Sequence, residues 1–221
     1  MDDAFVDAKQ VCFGIQCAGG LVRRHWRAFL ILNFFYFGLV AAGMVVSHRM
    51  PEIRELLLNE VAKAVESGFL SGVADAYQSG HFLKAAALTF AINLVIGSIL
   101  QANVPSLILP FSGLALLFWR AFLWGLLFTP IDHPLGLGVY PHYGTLLLEG
   151  EAYVLAGLTV WLQGAGLIKP AWVGATTRIG GYGRGLRHAA TVYLLIALLL
   201  AVAALYEAYE GIYLVPGLLP K

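Results

Sequence analysis

The chain predicts an all-α fold: a polytopic integral membrane helical bundle of about five transmembrane helices, with a cytoplasmic N-terminus and one amphipathic extracytoplasmic helix. Three observations carry this expectation. Hydrophobic residues make up 59% of the 221 and charged residues 12%, against roughly a quarter charged in soluble domains. The apolar residues gather into runs near the roughly 20 residues that one bilayer crossing requires. Basic residues collect in alternate connections between those runs. A net charge of +1 gives no electrostatic footing for nucleic acid.

Residues 1–27 form a cytoplasmic or interfacial segment ending in Arg23, Arg24, His25 and Arg27. Cys12 and Cys17 lie within it, too few for a structural zinc site, and are read as ordinary free thiols. The first span covers 28–46 and carries one amide, Asn33. The segment 47–83 contains the extracytoplasmic helix. Pro51 suits its start, and Ile53, Leu57, Val61, Val65, Phe69 and Val73 recur every four residues as a stripe over 51–80. Gly68 and Gly72 weaken it, each by about 1 kcal/mol relative to alanine, or let another helix approach closely.

The remaining spans form a core over 84–210. The second span, 84–100, holds Asn93, and the uncharged stretch 101–105 reads as a tight or re-entrant hairpin. The third, 106–129, holds Arg120 at its centre. A Pro- and Gly-rich turn leads into the fourth, 145–168, which carries Glu149 and Glu151. The connection 169–188 is basic and Gly-rich, with Arg178, Arg184 and Arg187, and a last span at 189–206 precedes Glu207, Glu210 and the tail 211–221. With the N-terminus inside, the inner segments hold eight basic residues against three acidic, and the outer ones five against eight. That bias follows the positive-inside rule.

Charges inside a span cost a few kcal/mol, roughly, and persist where they have a partner or a role. Arg120, Asn93, Glu149, Glu151 and His142 are therefore the candidate polar cluster. His142 and Glu149, seven residues apart, share a face, since two turns take about 7.2 residues. An Arg120–Glu149 contact is expected, with Glu151 and His142 near it. It serves either as a register-fixing ion pair or as a functional cavity. No His-Glu-x-x-His, Gly-x-Ser-x-Gly or phosphate-loop motif occurs, so no catalytic residue, metal ligand or cofactor is assigned. Arg23, Arg24, Arg27, Arg178, Arg184 and Arg187 are expected to meet anionic headgroups or a partner.

Phe90-x-x-Asn93, Pro110-Phe111-Ser112-Gly113 and Pro141-His142-Tyr143-Gly144 followed by Glu149 resemble the stage II sporulation protein M family over about residues 85–170. Tyr143 interrupts the family's Pro-His-Gly order, and the glutamate falls later than usual. The resemblance implies a bacterial or archaeal multi-pass protein of the cell membrane without a recognised cofactor. It also implies a non-enzymatic scaffold that organises partner proteins of the cell envelope. A homodimer is compatible with this. The alternative expectation is a transporter or channel-like permease subunit with a polar intramembrane site, and the third an intramembrane metal-dependent hydrolase.

Overall fold

Residues 14–67 and 70–219 are described by the computed structural model. Asp2, Asp3, Asp7, Lys9, Cys12, Gly68, Phe69 and Lys221 lie outside them. Every regular element among the described residues is helical. In order they are α1 (Ile15–Arg24), α2 (Trp26–Arg49), α3 (Pro51–Ser67), α4 (Ser71–Gln78) and α5 (Phe82–Ala91). A π-helical segment (Ile92–Asn103) joins α5 to α6 (Val104–Ile108), making one apolar rod of 27 residues. Then follow α7 (Ser112–Leu127), α8 (His142–Ile168) and α9 (Arg178–Tyr209), the last running through a second π-helical segment (Glu210–Leu214) into α10 (Val215–Leu218). Four of the helices are long and apolar enough to cross a membrane, and α7 is a shorter apolar helix. This is a helical membrane protein.

Each π segment leads into a short helix with a proline in its first turn, Pro105 in α6 and Pro216 in α10. Proline has no N–H to give and its ring crowds the carbonyl four residues back. A wider turn accommodates both, so the rods continue where an α-helix would break. This corrects the expected hairpin at 101–105. The chain reverses instead at Leu109–Phe111, where Phe111 takes a left-handed φ of 69°. Ser106 closes that corner: its hydroxyl donates to the Ala102 carbonyl and accepts from the Gly113 amide, both at 2.9 Å.

Two further boundaries move. The 51–80 stripe is split between α3 and α4 rather than forming one helix. The basic Gly-rich stretch 169–188 is not all loop, because its second half is the start of α9. Thr177 caps that helix by accepting from the Gly180 amide at 3.1 Å. The glycines there serve packing: a Cβ on Gly181 would collide with the backbone of Gly166 on α8, and one on Gly185 with that of Leu162. In lipid, helices associate through such close approach rather than through hydrophobicity. Gly43 of α2 and Gly125 of α7 make the equivalent backbone contact elsewhere in the bundle.

α8 is the central helix. Every residue from Ala152 to Val160 is buried, as a helix apolar on all sides must be. Around it stand α9, α2, the π segment and α7. α3 is tied to the loop after α7 by Arg54, whose buried guanidinium donates to the Ile131 carbonyl at 2.8 Å. Cys17 is disulfide-bonded, which corrects the expectation of free thiols.

Candidate functional site: an intramembrane polar cavity

The π segment fixes the site's first side chain. It is continuous with α5, so Asn93 points inward between α7 and α8 and is buried. Its Nδ2 donates to Glu149 Oε1 of α8 at 2.5 Å. Its Oδ1 accepts from Arg120 Nη2 of α7 at 3.3 Å and from the Tyr153 hydroxyl of α8 at 2.9 Å. Asn93 thereby joins three helices with one amide.

Arg120 sits half-buried in a cradle of neutral groups. It donates to the Tyr153 hydroxyl at 2.8 Å and to Gln101 Oε1 at 3.1 Å. The guanidinium lies 4.3 Å from the Tyr153 ring centre and 5.0 Å from that of Trp124. Such cation–π contacts contribute up to about 2 kcal/mol when desolvated. The expected direct Arg120–Glu149 ion pair is absent among the described residues. Asn93 stands between the two and satisfies both, so the coupling runs through an amide.

Glu149 is 2% exposed. The Glu207 carboxyl of α9 lines the same cavity. His142 Nδ1 lies 2.6 Å from Glu210 Oε1, one turn further along the same rod. Acid and base groups thus line up from the start of α8 towards its buried middle.

These groups open onto a cavity of about 590 Å³. Asn93, Gln101, Arg120, His142, Glu149 and Glu207 reach its wall, and the rest is largely apolar, from Ile92, Ile96, Leu123 and Leu127. α4 covers it with Val73, Ala74 and Tyr77. The Tyr77 hydroxyl is 3.1 Å from Thr89 Oγ1. Burial, then the nearby Glu207 charge, pushes its pKa up, so it stays protonated.

Of the residues singled out in the sequence, Asn93, Arg120, His142 and Glu149 line this cavity, while Glu151 is directed elsewhere. Two residues along a helix is a rotation of about 200°, which turns Glu151 towards α2, where Asn33 Nδ2 donates to it at 3.3 Å. Tyr153, Gln101, Glu207 and Glu210 were not anticipated. The signal for the last two was present, since Ile212, Leu214 and Val215 carry the apolar pattern past them.

The basic residues gather at another end of the bundle. α1 packs along α9, bringing Arg24 and His25 beside Arg184, Arg187 and His188. Arg23, Arg24, Arg27, Arg178 and Arg187 are exposed. Arg184 turns inward instead, to the Gly174 carbonyl. Trp161 and Trp172 stack nearby, with Lys169 4.9 Å from the Trp172 ring. No group of three or more His, Cys, Asp or Glu among the described residues is placed to hold a metal. Comparison with protein-family models, curated proteins and solved structures finds no match to the chain.

Proposed function

We propose that the protein holds a small molecule in an intramembrane cavity, as a permease or carrier subunit does. The observation that carries this reading is the 590 Å³ space reaching Arg120 and Glu149 in the core. A scaffold whose charges serve only to fix helix register has no use for such a volume. Its size falls in the range of about 300–1,000 Å³ typical of small-molecule sites, which are mostly apolar with a few convergent polar groups. In this reading α7 is a fifth span and the basic, Trp-rich end lies in the cytoplasmic headgroup region of a cell membrane. α3 and α4 are then the outer cover.

Native mass spectrometry of gently extracted protein tests the proposal. The unaltered chain should retain a bound small molecule, and Ile96→Trp, which fills the cavity, should not. An unaltered chain that carries no such mass at any detergent concentration counts against a ligand site.

The envelope-scaffold reading stays as a second proposal because α3 leaves Leu56 67% and Val61 43% exposed. It is also what the resemblance to the stage II sporulation protein M family implies. Leu56→Lys with Val61→Lys should then release a stoichiometric partner while leaving ligand retention unchanged.

A further inference from the structure

We propose that the ligand of this cavity is a single-chain amphiphile with an anionic head, which seats on Arg120. The inference rests on the cavity reading above and adds the ligand's chemistry to it. Charge complementarity carries it. Arg120 makes no ion pair among the described residues. All three of its hydrogen-bond partners are neutral, and its buried Nε has none. A cation at such depth is costly without an anion. Its Nε N–H and one N–H of Nη1 remain unpaired, and a carboxylate or phosphate oxygen suits them.

The acids close by do not supply that anion. Glu149 is held by Asn93. The Asn93 amide stands between the Glu149 carboxyl and the guanidinium and engages both, so neither acid pairs with Arg120 directly. A cationic head entering the cavity would meet the guanidinium unshielded. An anionic head would complete its coordination.

The remaining wall selects the body of the ligand. Ile92, Ile96, Leu123 and Leu127 offer apolar surface beside Arg120. About 590 Å³ holds one tail of moderate length but not both acyl chains of a phospholipid. Ile96 lines the cavity and is 40% exposed, so this wall is open and a tail enters past it from the surrounding bilayer. The ligand is therefore drawn from the membrane, not from free inorganic anions.

Equilibrium dialysis of the full-length protein in neutral-lipid nanodiscs decides the matter, with decanoate, decanol and decylamine at pH 8 and empty discs subtracted. Decanoate should saturate at about one per chain and bind at least about tenfold more tightly than decanol. Arg120→Gln should erase that advantage while decanol binds as before, and Arg120→Lys should keep part of it. Equal binding of decanoate and decanol to the unaltered protein overturns the anionic head and leaves the cavity reading standing. Preference for decylamine does the same. Saturation by none of the three removes both. The comparison on the unaltered chain holds even if Arg120→Gln fails to fold.

Discussion

Replacing Asn93 by leucine keeps the side chain's bulk and removes the amide that connects the rod, α7 and α8. Three hydrogen bonds vanish: to Glu149, from Arg120 and from Tyr153. Interhelical bonds in membrane proteins average about 0.6 kcal/mol, so the three together contribute about 2 kcal/mol. A buried polar group left wholly unpaired costs about 1–3 kcal/mol more. Here none is left so. Arg120 keeps Gln101 and Tyr153, and the Glu149 carboxyl reaches the cavity, where water takes the place of the lost donor. The smaller figure therefore governs, and Asn93→Leu should destabilise the fold by about 2–3 kcal/mol. Steric trapping in bicelles measures this directly. A double-mutant cycle with Tyr153→Phe should return a coupling of about 0.6 kcal/mol, and no more than about 1.7. An Asn93→Leu protein within about 0.5 kcal/mol of the parent, the range of an isolated surface change, would refute the network argument.

Three other outcomes follow from local geometry. Gly181→Val should destabilise by about 1–3 kcal/mol or more through overpacking against Gly166. Gly183→Ala, with nothing within 4 Å of its Cβ, should be neutral or gain up to about 1 kcal/mol of helix propensity; thermal melts in detergent compare the two. His133 is buried, accepts from the Leu135 amide at Nδ1 and lies 3.1 Å from the Leu127 carbonyl at Nε2. Burial, then the charges of Arg54 and His142, lowers its pKa. The unfolded chain thus takes up its proton first, so stability present above about pH 6.5 is lost as pH falls below it. His133→Gln should flatten that dependence in melts between pH 5 and 8. Arg54→Ala removes the bond to the Ile131 carbonyl, a charged hydrogen bond of about 1.5–3 kcal/mol. Amide exchange should then rise through α3 and leave α8 protected.

The membrane class was legible because composition and run length are chain-wide properties that lipid selects directly. Asn93, Arg120, His142 and Glu149 were legible for the same reason, as polar groups out of place in apolar runs. What joins them was not. Asn93 stands opposite Arg120 because the rod adopts π geometry, and no periodicity of 3.6 announces that. Pro105 reads locally as a break, yet the widened turns before it absorb it. Gly181 and Gly185 read as part of a flexible tract, and become a packing face only once α8 is beside them. Tyr153 is an ordinary aromatic in an apolar run until its hydroxyl finds Arg120. Glu207 and Glu210 were placed beyond the last span because charge was weighed above the apolar residues that follow.

The central claim is that an open cavity, wetted at its polar wall, lies between the rod, α7 and α4. Maleimide labelling in open membrane fragments tests it, with single cysteines placed on a background lacking Cys12 and Cys17. Ile96→Cys lies on the cavity wall, and Phe34→Cys, on the 76% exposed outer face of α2, lies against lipid. A water-borne maleimide should modify Ile96→Cys readily and Phe34→Cys hardly at all, with Ala74→Trp on the covering helix slowing the first. Equal protection of both positions would mean a dry, sealed core and contradict the account.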